Sequence, residues 1–270
     1  HYPLRRQRQM CIRDRLSEEQ RDSVDNILKS KFSILTGGPG CGKTTTTKAL
    51  VFHLKRIGAK VLLAAPTGRA AQRMSEVIGF EAQTIHRLLE FSPQEGGFKR
   101  NSENPLDADF IIIDEASMLD VFLASALLKA VNLKSQLLFI GDPDQLPSVG
   151  PGNVLKDLIE DKNVPAYKLT KIFRQAESSS IISFAHKINE GKTPSIVSPL
   201  AYPRAFKDGV DCLFLDSDQA TKEQMDLIKK LKKSIIQSES TYKNKEEFQS
   251  DLKSGKILDK INFTVPKKYE

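Results

Sequence analysis

The sequence of 270 residues is long enough for one large or two modest domains, and its content of 39% hydrophobic and 28% charged residues is that of an ordinary globular protein. No apolar run approaches the ~20 residues of a membrane-spanning helix, so we expect no membrane partner. The three scattered cysteines exclude a disulfide framework and indicate a reducing cytoplasm. The net charge is +7, but residues 1–15 contribute four of these charges through five arginines and one aspartate, so overall charge is weak evidence for nucleic-acid binding.

The first residues precede any regular pattern. Residues 1–15 are either a basic arm that contacts phosphates or a segment foreign to the folded domain. We favour the second interpretation, because residues 7–14 resemble a translated adaptor sequence. A helix follows, and Ser17 and Gln20 fit its capping box, S-x-x-Q. Gln20 is therefore either a helix cap or an amide that reads the adenine edge of a nucleotide.

A phosphate-binding loop comes next. Residues 32–36 predict a buried strand and residues 43–57 a helix, and between them stands the pattern G-x-x-x-x-G-K-[ST]. Its glycines let backbone N–H groups converge on phosphate oxygens at the positive end of the helix. Lys43 is expected to reach the β- and γ-phosphates, and the Thr44 hydroxyl to bind Mg²⁺. The predicted nucleotide-binding residues here are Gly37, Gly38, Pro39, Gly40, Cys41, Gly42, Lys43, Thr44 and Thr45.

A second apolar strand, predicted at residues 60–65, runs into another helix start that contains Thr67 and Arg69. Continuous apolar strands that alternate with helices predict an α/β fold, a parallel sheet with helices on both faces. Ligands of such sheets gather beyond the carboxyl ends of the strands. Thr67 and Arg69 are therefore either a helix cap and a solvated charge, or contacts to a nucleic-acid phosphate.

Residues 91–107 interrupt this pattern after a short helix predicted at residues 83–89, in which we assign His86 a structural role. Their glycines, prolines and asparagines predict either a long surface loop or a small projecting β-hairpin. Stacking and charge would suit part of such a hairpin to nucleic acid. The residues with these properties are Phe98, Lys99 and Arg100.

Two carboxylates, Asp114 and Glu115, end the buried strand predicted at residues 110–113. Packing alone does not explain two acids at the end of an apolar strand. Downstream of a phosphate-binding loop, the first acid is expected to hold Mg²⁺ and the second to orient or deprotonate the attacking water. We therefore assign Asp114 to the metal and Glu115 to the base.

Two later residues are candidates for contact with the γ-phosphate. A strand predicted at residues 136–140 runs into a loop that contains Gln145, which is either a reporter of γ-phosphate loss or a plain turn residue. Arg174 follows an apolar pair. It is either a surface ion-pair partner or an arginine that offsets transition-state charge.

Taken together, these stretches resemble the RecD-like superfamily 1 DNA helicases from about residue 16 to residue 216. The positions that carry the resemblance are Gln20, residues 37–45, residues 66–74, Asp114, Glu115, residues 141–152 with Gln145, and residues 169–175 with Arg174. The resemblance implies that Gln20 reads adenine and that residues 91–107 form a small pin that helps to part the strands. It also implies that Lys43, Glu115, Gln145 and Arg174 are catalytic.

The function implied by this resemblance is that of an ATP-dependent DNA helicase that moves 5′ to 3′ on single-stranded DNA in repair or recombination. ATP and Mg²⁺ are the expected cofactors, and the subunits of a nuclease complex are expected partners. A P-loop regulatory module without motor activity is the alternative. Glu115 and Gln145 argue against it, because a protein that only binds nucleotide needs no water-activating acid.

The resemblance also divides the chain into parts. We expect a leader at residues 1–15, a RecA-like ATPase lobe at 16–165 with the insertion at 91–107, the start of a second motor lobe at 166–216, and a charged, poorly packed segment at 217–270. The later motifs of the family have no counterpart in the sequence. We therefore expect a fragment that binds nucleotide but unwinds DNA poorly.

Overall fold

The structure of the protein, a computed structural model, describes residues 16–94, 96–172, 179–197 and 222–239, with single positions at 212, 214, 242, 247, 248 and 251. The chain divides into two compact units after residue 176. The first unit holds the main sheet and nearly all of the predicted site residues. Among the helices of the described residues, none has the length and apolar character needed to cross a membrane.

The first unit is built on a six-stranded parallel sheet. Its strands and a separate short pair are β1 (Phe32–Gly37), β2 (Val61–Ala65), β3 (Gln83–Thr84), β4 (Phe91–Ser92), β5 (Gly97–Phe98), β6 (Phe110–Ile113), β7 (Gln136–Gly141) and β8 (Ala166–Leu169). The order across the sheet is β3-β2-β6-β7-β1-β8, and β4 pairs with β5 alone. All four residues of β6 are buried, as expected of a central strand covered on both faces.

Helices cover both faces of this sheet, which confirms the predicted α/β class. They are α1 (Glu18–Ile27), α2 (Lys43–Arg56), α3 (Gly68–Ile78), α4 (Ile85–Leu88), α5 (Val121–Ala130) and α6 (Val154–Glu160). Successive strand residues enter different cores, since side chains alternate along a strand. Leu35 joins the core that includes α1, α2 and α3, whereas Ile34 joins the core that includes α4, α5 and α6.

Two predicted boundaries need correction. The second lobe was expected to start at residue 166, but β8 is the edge strand of the first sheet and pairs in parallel with β1. The compact first unit therefore extends past residue 165, and a second motor lobe beyond it stays a prediction. Gln83 and Thr84, expected to open a helix, instead pair with the end of β2, and the helix begins at Ile85.

The second unit contains two described helices, α7 (Ser180–Asn189) and α8 (Lys222–Glu239). Most of residues 198–216, the last part of the expected second motor lobe, lies outside the described residues. The same holds for most of the charged segment after residue 239.

Candidate nucleotide-binding site

The carboxyl ends of three neighbouring strands bring the predicted nucleotide-binding residues to one edge of the sheet. β1 lies beside β7, and β7 lies beside β6, all in parallel. The glycine loop after β1, the two acids after β6 and the polar loop after β7 therefore meet at the same edge. Open parallel sheets bind their ligands at this place.

The loop between β1 and α2 offers backbone N–H groups to a ligand. Gly42 is the N-cap of α2 with φ of 82°, and it supplies no side-chain cap to the first N–H groups of this 14-residue helix. Gly40 is also left-handed, with φ of 78°, a conformation that disfavours other L-residues by about 1–2 kcal/mol. Thr44 and Thr45 are exposed at the helix start, whereas Cys41 is buried. This arrangement is suited to an anion such as a phosphate.

Lys43 lies over this loop. Its Nζ donates hydrogen bonds to the carbonyl oxygens of Gly37 and Gly38, the second at 3.3 Å. A phosphate oxygen is a stronger acceptor for an ammonium group than a neutral carbonyl, because its negative charge adds a Coulomb attraction. The side chain is thus in place to exchange these carbonyls for the β- and γ-phosphates.

Gln20 takes part in the helix cap and also contacts the phosphate loop. The capping box is complete, with Ser17 N–H donating to Gln20 Oε1 at 3.0 Å and Gln20 N–H donating to Ser17 Oγ at 3.3 Å. In addition, Gln20 Nε2 donates to the Gly42 carbonyl at 3.3 Å. No sequence pattern predicts this last contact, because the two residues are 22 positions apart. The adenine-reading role of Gln20 stays a prediction.

Asp114 follows β6 directly, and its N–H is anchored on the Ala64 carbonyl at 2.9 Å. Burial raises the pKa of Asp114, although the Glu115 N–H, which donates to Asp114 Oδ1 at 2.9 Å, and the charge of Lys43 act to lower it. A carboxylate that burial destabilises in its charged form gains from a cation beside it. Asp114 is therefore suited to hold Mg²⁺.

Glu115 has a left-handed backbone, with φ of 54° and ψ of 40°. Such a conformation at a residue other than glycine costs on the order of 1 kcal/mol and is concentrated at functional sites. It turns the chain from β6 into a 3₁₀ turn, Ala116–Met118, whose first two residues are buried. The residue predicted to be the base thus stands at a sharp corner between two buried elements.

The loop after β7 combines a buried and an exposed polar residue. Asp142 is 2% exposed, and its Oδ1 accepts from Asp144 N–H at 3.1 Å. The N–H of Gln145 donates to the Asp142 carbonyl at 3.1 Å, so the chain reverses here, and Gln145 is exposed. Gln145 is therefore accessible to a ligand at this edge, as a phosphate sensor requires.

These residues fit a nucleotide with Mg²⁺. Thr44 offers an exposed hydroxyl, Asp114 offers a carboxylate, and the uncapped start of α2 offers N–H groups. Across the described parts of the chain, no group of three or more His, Cys, Asp or Glu residues is placed to hold a metal ion by itself. Proteins usually bind Mg²⁺ through one or two side chains together with substrate phosphates.

The predicted DNA contacts on α3 are only partly available. Thr67 is the N-cap of α3, and its Oγ1 accepts from Ala70 N–H at 3.2 Å, so the capping interpretation is observed. Arg69 is exposed in the first turn of the same helix. Both follow β2 and stand at the same edge of the sheet as the nucleotide loop.

The hairpin predicted within residues 91–107 is present, with β4 and β5 antiparallel and Gly96 left-handed at the turn. Its three candidate residues have different surroundings. Phe98 is half-buried and packs against the core of α4 and α5, whereas Lys99 is exposed. Arg100 forms an ion pair with Glu90 at 2.7 Å and donates to the Asn104 side chain at 3.3 Å, so it fastens the base of the hairpin.

An aromatic cluster at the hairpin was not predicted from the sequence. The ring of His86 lies 5.7 Å from those of Phe91 and Phe98, and the two phenylalanine rings are 5.1 Å apart. The structural role assigned to His86 agrees with these contacts. The three ring residues in residues 86–98 were the available signal, but the hairpin register was needed to bring them together. Arg174 lies outside the described residues.

Comparisons with known proteins match the part of the chain that carries this candidate site. A family described as an AAA domain matches residues 20–151. The chain is 44% identical over 180 residues to an ATP-dependent RecD2 DNA helicase of Deinococcus radiodurans, covering 67% of this chain and 25% of that protein. It is 36% identical over 211 residues to the RecBCD enzyme subunit RecD of Mycolicibacterium smegmatis, covering 68% of this chain and 37% of that protein. The chain thus spans well under half the length of these relatives.

A solved structure supports the fold alone. The crystal structure of the Pif1 helicase from Candida albicans superimposes with a TM-score of 0.53 at 23% identity. The superposition covers 85% of this chain and 56% of that one. At this identity it indicates a shared α/β architecture.

Proposed function

We propose that this chain is the ATP-binding part of a DNA helicase of the RecD-like family, to whose members it is similar. The observation that carries the proposal is the sheet edge at which an uncapped helix start, Lys43 and the acid pair Asp114 and Glu115 meet. The activity proposed for the whole protein is movement 5′ to 3′ on single-stranded DNA with strand separation, in DNA repair or recombination.

Each residue of the site has a role in this proposal. The N–H groups of residues 37–45 bind phosphates, while Lys43 moves from its two carbonyl partners to the β- and γ-phosphates. Thr44 and Asp114 hold Mg²⁺, which when bound neutralises charge on the phosphate oxygens. Glu115 accepts the proton of the attacking water.

Three further residues complete the proposed nucleotide site. Gln20 exchanges its contact with Gly42 for the adenine edge. Gln145 responds to loss of the γ-phosphate from the loop after β7. Arg174 offsets the charge that develops in the transition state.

Single-stranded DNA is the proposed ligand of the surface beside this site. Arg69 and Lys99 are exposed and carry the charge that phosphate contacts need, and Thr67 stands at the helix start between β2 and α3. Phe98 and Arg100 support the hairpin in this proposal. Subunits of a nuclease complex are proposed partners, since one relative is named as a RecBCD enzyme subunit, and the cytoplasm is the proposed compartment.

A nucleotide-gated regulatory module without motor activity is the second candidate. The observation that favours it concerns the predicted DNA contacts, because Thr67 and Arg100 already use their side chains in protein hydrogen bonds. Such a module would bind nucleotide at the same edge but would show no turnover that responds to DNA.

The test is the ATPase rate of the chain with and without single-stranded DNA. The helicase proposal predicts that DNA stimulates the rate and that Lys43→Ala abolishes it. Lys129→Ala is the matched control, since Lys129 is exposed in the last turn of α5, away from the loop. Nucleotide binding without DNA-stimulated turnover would favour the regulatory module.

A further inference from the structure

The first turn of α1 contacts a segment far away in sequence. Glu19 Oε1 accepts from the Thr170 N–H at 2.9 Å and from the Thr170 hydroxyl at 2.8 Å, and Glu19 Oε2 accepts from the Lys171 N–H at 3.3 Å. Thr170 and Lys171 come directly after β8, the last strand of the sheet. One carboxylate therefore binds both backbone N–H groups of the chain as it leaves the sheet.

The carboxylate of Glu19 is bound in its charged form. Partial burial acts to raise the pKa of Glu19, but the three hydrogen bonds from Thr170 and Lys171, together with the charge of Lys171, outweigh it, and the pKa lies below its ordinary value. Hydrogen bonds to an ionised acceptor are the stronger kind. The contact between Glu19 and residues 170–171 is thus a set of charge-assisted hydrogen bonds.

The same segment touches the phosphate loop at a second point. A Cβ on Gly37 would lie 2.7 Å from the Leu169 carbonyl oxygen, so the end of β8 is packed directly on the start of the loop. Only a residue without a side chain permits this approach. Residues 169–171 are therefore held between Gly37 and Glu19.

The neighbour of Glu19 completes the connection. Gln20 donates to the carbonyl of Gly42, the residue that caps α2 at the other end of the phosphate loop. Adjacent residues of one helical turn thus hold the phosphate loop and the segment after β8. When a ligand displaces Gln20 or the phosphate loop, the displacement also acts on the first turn of α1, which carries Glu19.

We propose that Glu19 is a positioning residue that transmits the nucleotide state of the phosphate loop to Thr170 and Lys171. The segment that it holds leads, three residues later in sequence, to Arg174, the residue proposed to act on the γ-phosphate. This inference rests on the proposed nucleotide binding. It assigns to Glu19 a part in coupling, which differs from the plain fastening of an edge strand.

A matched contact shows what plain fastening looks like. The hydroxyls of Tyr167 and Ser30 lie 3.3 Å apart and join β8 to the chain just after α1. Tyr167→Phe removes this contact and keeps the ring. It is therefore the control for a loss of edge-strand stability alone.

The experiment is hydrogen–deuterium exchange of the full chain, read on peptides that contain residues 168–172, with and without Mg²⁺–ATPγS. In the wild type, the nucleotide is expected to slow exchange of the Thr170 and Lys171 amides. Glu19→Ala is expected to abolish this nucleotide-dependent change and to lower kcat roughly threefold to tenfold, with the nucleotide Kd within about twofold of wild type.

Glu19→Gln, which keeps an acceptor oxygen, is expected to restore part of the effect. Tyr167→Phe is expected to keep the full nucleotide-dependent change.

Each outcome separates the two proposals. A wild type that binds no Mg²⁺–ATPγS overturns both the nucleotide site and the role of Glu19. Normal nucleotide binding with the same exchange response in Glu19→Ala and the wild type overturns only the role of Glu19. Equal losses of the response in Glu19→Ala and Tyr167→Phe would reduce Glu19 to a fastener of the edge strand and contradict the proposal.

Discussion

The nucleotide edge, where the loops after β1, β6 and β7 meet, and the hairpin of β4 and β5 are held together by different interactions. At the nucleotide edge, the parallel sheet fixes where each strand ends, and the functional groups are the backbone and the first side chains after those ends. In the hairpin, side chains of residues 86–104 contact one another, and Arg100 forms an ion pair with Glu90. The sheet topology therefore places the candidate groups at the nucleotide edge, whereas contacts between side chains place them in the hairpin.

The largest expected effect lies at the nucleotide edge. Glu115→Gln removes the proposed base and is expected to lower kcat of ATP hydrolysis by about 10²–10⁴-fold, because general base catalysis contributes on this order. The Kd for Mg²⁺–ATPγS should stay within about twofold of wild type. Steady-state kinetics and calorimetry measure the two quantities, and Glu160→Gln at the exposed end of α6 is the control. An unchanged kcat would remove Glu115 from the mechanism.

A glycine pair tests how tightly the loop is packed. Gly37→Ala would place a Cβ 2.7 Å from the Leu169 carbonyl oxygen and is expected to destabilise the fold by about 1–3 kcal/mol, as overpacking does. Gly68→Ala, with no atom within 4 Å of the added carbon, is expected to be neutral or to stabilise by up to about 1 kcal/mol. Urea denaturation measures both. Equal effects would contradict the close approach of β8 to the loop.

The hairpin gives smaller effects of a different kind. Arg100→Ala removes the ion pair with Glu90 and is expected to lower the free energy of unfolding by roughly 0.5–1 kcal/mol. Lys99→Ala, at an exposed position, is expected to weaken binding of single-stranded DNA. Thermal unfolding and fluorescence anisotropy separate the two. A purely DNA-binding defect in Arg100→Ala would erase the contrast between the regions.

The smallest expected effect depends on pH. Because the pKa of Glu19 is lowered in the folded protein, its charged form stabilises the fold above the ordinary value of 4.5, and this contribution is lost as the pH falls through the lowered pKa. The melting temperature of the wild type should thus exceed that of Glu19→Gln at pH 7, and the difference should shrink at more acidic pH. Lys171 is the charged residue among those that contact Glu19, and its charge acts to lower the pKa of Glu19. A difference that grows towards acidic pH would contradict the bound, charged carboxylate.

The difference between the nucleotide edge and the hairpin also explains which parts of the structure could be predicted from the sequence. The loop at residues 37–45, Asp114 and Glu115 follow apolar strands, so their place beyond the carboxyl ends of the strands was predicted from a parallel sheet alone. Gln20 with Gly42, Glu19 with Thr170, and Arg100 with Glu90 depend on which side chains meet in space. Sequence patterns assign such residues a type of interaction but do not select the partner. The second-lobe boundary at residue 166 failed for the same reason, since only pairing shows that β8 belongs to the first sheet.

The measurement that tests the central claim most directly is a calorimetric titration of Mg²⁺–ATPγS into the wild type and Lys43→Ala. Lys43 is the charged group that already lies over the loop on two carbonyl oxygens. The strand-end site predicts one binding event per chain and a loss of at least about tenfold in affinity in Lys43→Ala, because ion-to-phosphate hydrogen bonds are among the strongest. Equal affinity in the two proteins, or no binding by the wild type, would contradict a nucleotide site at this edge of the sheet.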